Sequence, residues 1–112
     1  MDSADAAIAT NLRKGVVEFC VLALLGQEPS YGLALARRLQ ARGLISSDGT
    51  LYPLLVRLSG QGLVQSEWVT DDGPRPRKYY SLTPAGSARL EAFTRVWVPL
   101  RDAVDATVEE EP

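Results

Sequence analysis

The first two predicted helices differ in how far their apolar residues extend round the helix. The first runs from about Leu12 to Leu25 and is apolar on nearly all sides, which is typical of a helix that is buried on all sides. The second follows Pro29, with Ser30 as its N-cap, and Gly43 ends it. A domain of this size cannot cover the first helix completely, so the pattern is a first indication of an oligomer.

A third predicted helix begins near Ser46 or Ser47 and ends at Gly62. Pro53 lacks a backbone donor and favours a later start, with Thr50 as the cap. Leucines at i, i+3, i+4 and i+7 form the face that packs on the core: Leu51, Leu54, Leu55 and Leu58. The opposite face is small, apolar or aromatic with a single cation, which is unusual for a solvated face: Gly49, Tyr52, Pro53, Val56, Arg57 and Gly60.

Two alternating segments, Leu63 to Val69 and Arg77 to Leu82, flank a turn-rich loop and predict a β-hairpin. The alternation places Trp68 on the inner face, so we expect it in the core rather than exposed as a base-stacking platform. Tyr79 and Tyr80 point to opposite faces, and one of them is expected in the core and the other exposed.

The last predicted helix starts with Thr83 as its cap and Pro84 in its first turn. Its apolar residues recur at steps of three and four: Leu90, Phe93, Trp97, Leu100 and Val104. This stripe is typical of a helix that packs on another helix, and it is too narrow and too far from the rest of the chain for a simple core face. Pairing of two copies about a two-fold axis is the economical explanation. Pro99 predicts a kink.

These elements give a mainly α fold with a small β-hairpin. We divide the chain into a flexible tail (residues 1–11), a winged helix-turn-helix domain (12–83), a C-terminal dimerisation helix (84–108) and an acidic tail (109–112). The helix pair followed by a hairpin is the order of elements in a DNA-binding winged helix.

Composition excludes several classes of function. The chain has no histidine and one cysteine, Cys20, which excludes an intrachain disulfide, a zinc site of Cys/His type and a histidine-dependent catalytic set. Without paired carboxylates or a glycine-rich phosphate loop, we predict neither an enzyme nor a cofactor. The longest apolar run, Val16 to Leu25, is interrupted by Glu18 and is too short to span a membrane. We expect a cytoplasmic protein with Cys20 reduced and buried.

Charge is distributed unevenly along the chain. The net charge is −2, which taken alone argues against a nucleic-acid partner. Residues 13–95, however, hold eleven basic and seven acidic side chains, and the acidic excess lies at the two ends. Local charge attracts a polyanion, so the basic central part remains suited to DNA.

The third helix and the hairpin carry the predicted DNA contacts. Small residues on the outer face allow close approach in the major groove, while hydroxyls and Arg57 can reach bases or phosphates. The predicted contacts of this helix and the turn before it are Ser46, Ser47, Gly49, Thr50, Tyr52, Pro53, Val56 and Arg57. The predicted contacts of the hairpin, or wing, are Arg75, Arg77 and Lys78, with Asp71 and Asp72 pointing away from the DNA.

Three residues near the second helix have two open interpretations. Arg37 and Arg38 either contact phosphates or are simply solvated. Tyr31 either donates to a phosphate or braces the second helix against the first.

Several short motifs, in their order and spacing, resemble the PadR family of bacterial transcriptional regulators in its short form with one C-terminal helix. They are Leu12-Arg13-Lys14-Gly15, Pro29-Ser30-Tyr31-Gly32, Gly49-Thr50-Leu51-Tyr52-Pro53-Leu54-Leu55 with Arg57-Leu58, Gly62-Leu63-Val64, and Arg77-Lys78-Tyr79-Tyr80 with Leu82-Thr83 and Gly86. The resemblance implies a homodimeric repressor that binds a palindromic operator in double-stranded DNA. It also implies dimerisation through the first and last helices, here Leu12, Val16 and Phe19 together with the stripe from Leu90 to Val104.

Some members of that family bind flat aromatic compounds between paired tryptophans at the dimer centre. Trp97 has two open interpretations. It either packs in the dimer interface, which we favour, or pairs with its symmetry mate to bind a planar effector between the two indoles, with Phe93 and Leu100 as the walls of the pocket. Haem is disfavoured because the usual histidine ligand is absent. The alternative to a DNA-binding repressor is a winged-helix module for protein assembly without DNA, which the basic central part and the outer face of the third helix disfavour.

Overall fold

The structure, a computed structural model, describes residues 2–70, 73 and 75–110. The helices are α1 (Ser3–Arg13), α2 (Val17–Gln27), α3 (Gly32–Ala41), α4 (Leu51–Gly60) and α5 (Pro84–Glu109), and the strands are β1 (Ser30–Tyr31), β2 (Val64–Val69) and β3 (Arg77–Leu82). The predicted class, mainly helical with a small antiparallel sheet, is confirmed. The orientation expected for Asp71 and Asp72, and residues 111–112 of the predicted acidic tail, lie outside the described residues.

The predicted first helix is two helices. The backbone turns between α1 and α2 at residues 14–16, which we call the hinge, and Gly15 there has a φ of +85°. A residue in that left-handed conformation cannot continue a right-handed helix, so one continuous helix does not form, and glycine adopts it readily because it has no Cβ. The segment expected as a flexible tail contains α1, which Asp2 caps by accepting a hydrogen bond from the backbone N–H of Asp5 at 2.9 Å.

The expected N-cap role of Ser30 is also wrong. Ser30 and Tyr31 form a short strand that pairs with Tyr80 and Tyr79 of β3, so α3 begins only at Gly32. The sheet therefore has three strands in the order β1-β3-β2 rather than the two of a hairpin. Pairing with a strand distant in sequence overrode the local capping signal.

The helix pair α3 and α4 follows the sequence prediction closely. Gly43 terminates the first helix of the pair with a φ of +72°. A 3-10 turn at Asp48–Thr50 precedes α4, in agreement with the late start that Pro53 favours. Gln40 donates to the carboxylate of Asp48 at 2.9 Å, which ties the turn before α4 to α3.

The core lies between α2, α3, α4 and the base of the sheet. Its largest fully buried side chains are Leu22, Leu35, Leu39, Leu51, Leu55, Leu58 and Val21. Cys20 is only half-buried beside this cluster, rather than buried as expected. Burial still raises the pKa of its thiol, which makes Cys20 a poor nucleophile at neutral pH.

Trp68 does not lie in the core, contrary to its predicted position. It occupies the same sheet face as Val64, which is buried, but 69% of its surface is exposed. The wing extends past the core, so only the base of the sheet is covered by helices. Tyr80 is buried as one of the predicted tyrosine pair, while Tyr79 is half-buried rather than exposed.

The start of α5 is fixed against the end of the helix pair. Thr83 accepts from the backbone N–H of Gly86 at 3.0 Å, as its predicted cap role requires, and donates to the carbonyl of Gly62 at 2.7 Å. A Cβ at Gly86 would overlap the carbonyl oxygen of Leu63. Glycine at this position therefore allows α5 to begin in direct contact with the chain that leaves α4.

The apolar stripe of α5 has two parts. Leu90 packs against the core cluster and Phe93 stacks on Phe19 of α2, so this part belongs to the body of the domain, contrary to the expectation from sequence. Beyond Trp97 the stripe is exposed, including Leu100 and Val104. The helix continues without interruption through Pro99.

Candidate nucleic-acid interface

The outer face of α4 is the exposed surface that the sequence predicted. Val56 is 73% exposed, and Tyr52, Pro53 and Gly60 are also exposed. The Tyr52 ring packs closely against Gly32 at the start of α3, which fixes the position of its hydroxyl. A helix surface of this kind presents a methyl-bearing side chain, a hydroxyl and little bulk, which suits close approach to the edges of bases.

Arg57 has a partner that sequence reasoning missed. Its guanidinium lies 3.6 Å from a carboxylate oxygen of Glu18 on α2, and the arginine side chain remains more than half exposed. An ion pair of that length and exposure is weak, and a phosphate can displace the carboxylate. The available signal was Glu18 itself, an isolated acid within an otherwise apolar segment.

The turn before α4 presents hydroxyl groups beside that arginine. The Oγ atoms of Ser47 and Thr50 lie 3.3 Å apart, and Ser46, Ser47, Gly49 and Thr50 are all exposed. Such hydroxyls can donate to phosphate oxygens without carrying sequence information themselves.

The wing carries exposed cations that rest on aromatic rings. The guanidinium of Arg77 lies 4.6 Å from the ring centroid of Tyr31, which packs edge-on against Tyr79. The ammonium of Lys78 lies 5.9 Å from the ring of Trp68. These cation–π contacts hold the charges on the wing without neutralising them. Arg75 is exposed beside them.

Tyr31, Arg37 and Arg38 take different positions. The ring of Tyr31 contacts Tyr79 and Arg77 of the wing. Arg38 donates to the side-chain oxygen of Gln27 at 2.9 Å and is half-buried at the end of α2. Arg37 is exposed on α3. The structure therefore leaves Arg37 better placed than Arg38 to reach a polyanion.

One groove brings together four of the predicted contact residues. It has a volume of about 470 Å³ and lies between the α1–α2 region and α4. Its lining includes Ser46, Thr50, Pro53 and Arg57 from the helix pair. The wing residues and Arg37 do not line it.

Exposed apolar side chains also occur on α1 and on the outer part of α5. Leu12 is 71% exposed and Leu100 is 54% exposed, although both have apolar side chains. Phe19, Phe93 and Trp97 form a continuous ring stack, with centroids 4.1 Å apart for the first pair and 5.7 Å for the second. Val16 is half-buried at the hinge.

The described part of the chain offers neither a metal site nor a membrane-spanning helix. Within residues 2–70, 73 and 75–110, no group of three or more His, Cys, Asp or Glu side chains could hold a metal ion. Across the same residues, the helices are all too short or too polar to cross a membrane.

Comparison with known proteins agrees with this architecture. The model of the transcriptional regulator PadR-like family matches residues 21–92. Transcriptional regulator Rv3488 of Mycobacterium tuberculosis is 38% identical over 78 residues, which are 70% of this chain and 72% of that protein.

Two solved structures extend the likeness to nearly the whole chain. The crystal structure of a PadR family transcriptional regulator from Eggerthella lenta has a TM-score of 0.86 at 38% identity, and the match covers 98% of this chain and 96% of that one. A PadR-like transcriptional regulator from Bacillus cereus has a TM-score of 0.82 at 34% identity, with 90% and 99% covered. These relatives are transcriptional regulators and not enzymes, which confirms that prediction. The chain belongs to the PadR-like family of transcriptional regulators.

Proposed function

We propose that the protein is a homodimeric, sequence-specific DNA-binding repressor of a nearby promoter, acting in the cytoplasm. The observation that carries this proposal is the exposed outer part of the α5 stripe. Leu100 and Val104 recur at helical spacing and are more than half exposed in the isolated chain. A contiguous apolar stripe on a regulator of this family needs a cover, and a second copy supplies one of matching shape.

Dimerisation would use both helical ends of the chain. The proposed dimer contacts are Leu12, Val16 and Phe19 from the N-terminal side and Leu90, Phe93, Trp97, Leu100 and Val104 from α5. Leu90 and Phe93 already pack within the subunit, so their role is to anchor α5 on the body of the domain. The strongest dimer contacts are then the exposed residues beyond them.

DNA binding would use the outer face of α4 in the major groove, with the wing on the neighbouring backbone. The proposed contacts are Tyr31, Arg37, Arg38, Ser46, Ser47, Gly49, Thr50, Tyr52, Pro53, Val56, Arg57, Arg75, Arg77 and Lys78. Arg38 takes part only if its bond to Gln27 opens. A two-fold dimer presents two copies of this surface, so the operator is a palindrome with half-sites about one helical turn apart.

A planar aromatic effector would act at the dimer centre. The ring stack ends at Trp97, whose indole is half-buried in the isolated chain. A flat ligand there would extend the stack between the two subunits and change how α5 meets its partner. Release of the operator would follow from that change in the dimer.

Two measurements on the purified protein test the proposal together. Sedimentation velocity is expected to show a dimer at micromolar concentration, and sequencing of random duplexes retained by the protein is expected to return a palindrome. A monomer at that concentration would overturn the dimer. A dimer that retains no duplex, or whose affinity is independent of salt, would instead support a protein-assembly module.

A further inference from the structure

The groove between the hinge and α4 contains residues that no predicted contact set includes. Thr10, Arg13, Lys14 and Gly15 form its wall on the side of α1, and Val17 and Glu18 continue that wall onto α2. The opposite wall holds Ser46, Thr50 and Arg57, which the proposed function assigns to DNA. The hinge therefore shares one concave surface with the reading helix.

The charge of the groove is positive. Arg13, Lys14 and Arg57 face a single carboxylate, Glu18, which is already paired with Arg57. Lys14 is exposed and forms no salt bridge within the part of the chain that the structure describes. An exposed lysine beside a DNA-reading helix is suited to a phosphate, which needs a point charge rather than a planar fork.

The hinge is held in place against the helix pair. Arg13 donates through Nε to the carbonyl oxygen of Gly43, at 3.1 Å, across thirty residues of sequence. That bond connects the end of α1 to the turn between α3 and α4. Lys14, the next residue, is exposed and lines the groove beside this bond.

We infer that the hinge is a third DNA-contact element, in which Lys14 binds a backbone phosphate next to the half-site, while Glu18 opposes that contact from within the groove. The inference rests on the proposed function and adds to it an element outside the helix pair and the wing. Charge complementarity selects DNA as the occupant, since the groove is continuous with residues assigned to DNA. Glu18 holds Arg57 in the free protein and repels the same phosphates that Lys14 attracts.

The two residues predict effects of opposite sign. Lys14→Gln removes one phosphate contact from each subunit, two from the dimer on its palindrome, so the slope of log affinity against log salt is expected to fall by about 1.8 and the affinity by about fivefold per contact at physiological salt. Lys14→Arg retains the positive charge and is expected to keep both the salt slope and the affinity of the wild type. Glu18→Gln removes the opposing carboxylate and is expected to strengthen binding and steepen the slope.

The experiment is a salt titration by fluorescence anisotropy with the full chain. The probes are a labelled duplex that carries the selected palindrome and a scrambled duplex of equal length. A phosphate contact carries no sequence information, so Lys14→Gln is expected to weaken both by the same factor. Arg95→Gln is the matched control, because Arg95 is an exposed cation on α5 that does not line the groove. Thermal midpoints of the variants are measured alongside to confirm that they fold.

The outcomes separate the inference from the proposed function. If the wild type shows a steep salt slope and Lys14→Gln behaves like Arg95→Gln, the inference is wrong and the function stands. If the wild-type slope is near zero on both duplexes, the proposed function fails and the inference with it. If inorganic phosphate at low millimolar concentration shifts the thermal midpoint of the wild type but not of Lys14→Gln, with the slope unchanged, the groove binds a free anion instead of DNA.

Discussion

Two regions of the chain contain similar apolar residues but bury them to different degrees. In the winged-helix body (residues 17–93), Leu22 and Leu35 are fully buried. In the helical ends (α1 and the part of α5 beyond Phe93), Leu12 and Val108 are more than two thirds exposed. The body closes a core within one chain, whereas no residue that the structure describes in the ends is fully buried. An apolar helical stripe therefore predicts burial but not which chain provides the cover.

The boundary between the two regions passes through the ring stack. Phe93 packs on Phe19 and thus belongs to the body, while Trp97 forms the last ring before the exposed stripe. Stability of the isolated chain is expected to depend on residues before this boundary, and association on residues after it.

The largest expected effect comes from a cavity in the body. Leu35→Ala is expected to lower the free energy of unfolding by about 2–5 kcal/mol, because the neighbours of a fully buried leucine cannot collapse completely. Urea denaturation measures this loss, at a protein concentration below the dissociation constant of the dimer. The matched change at the ends, Leu12→Ala, is expected to cost less than about 1 kcal/mol under those conditions. Equal losses for the two variants would remove the distinction between body and ends.

The second effect tests what covers the ends. Leu100→Asp is expected to weaken association by about 2–4 kcal/mol, because two carboxylates would be buried near the two-fold axis. Sedimentation equilibrium measures the dissociation constant, and operator affinity is expected to fall with it, since each half-site alone is weak. The unfolding transition of the body is expected to stay intact. A variant that remains fully dimeric would contradict the proposed interface.

A third change acts on the body without touching the ends. Arg57→Ala is expected to weaken operator binding by about 1–3 kcal/mol while leaving the dimer unchanged. Gel-shift titration against the selected palindrome measures the loss, with sedimentation as the control. Because Glu18 loses its partner in this variant, the double change with Glu18→Gln is expected to recover part of the affinity. An unaltered gel shift for the single variant would refute the role of Arg57.

The smallest effect tests the junction of the two regions. Thr83→Ala removes the cap of α5 and the bond to the carbonyl of Gly62, and is expected to cost about 0.5–2 kcal/mol of unfolding free energy. Thr83→Ser retains a hydroxyl and serves as the control. Thermal denaturation of both variants measures the difference, and a loss in the serine variant as large as in the alanine variant would assign the effect to the methyl group.

Sequence was sufficient where the determining signals are local. Pro53 set the late start of α4, and Thr83 with Pro84 set the start of α5. Prediction from the sequence failed where contacts between distant parts of the chain decide the secondary structure. Strand β1 exists because Ser30 and Tyr31 pair with β3, and that pairing has no local signal in a two-residue strand.

The candidate site shows the same division. The exposed face of α4 followed from helical periodicity alone, whereas the pairing of Arg57 with Glu18 joins two helices whose relative placement periodicity does not fix. Trp68 was assigned to the core because alternation identifies a sheet face but not how far the helices extend along it. The break at Gly15 was missed because a glycine permits a left-handed backbone conformation without requiring it, and only the observed φ of +85° shows that the chain adopts it.

The contact of Gly86 with the Leu63 carbonyl couples the two regions mechanically. Because α5 starts against the segment that leaves α4, we expect a tilt of the far end of α5 to move α4 as well, instead of being absorbed in a loose linker. In the proposed dimer, such movements would bring the two α4 helices together or apart along the duplex. The absence of a side chain at Gly86 thus allows the direct contact on which this expected coupling between α5 and α4 depends.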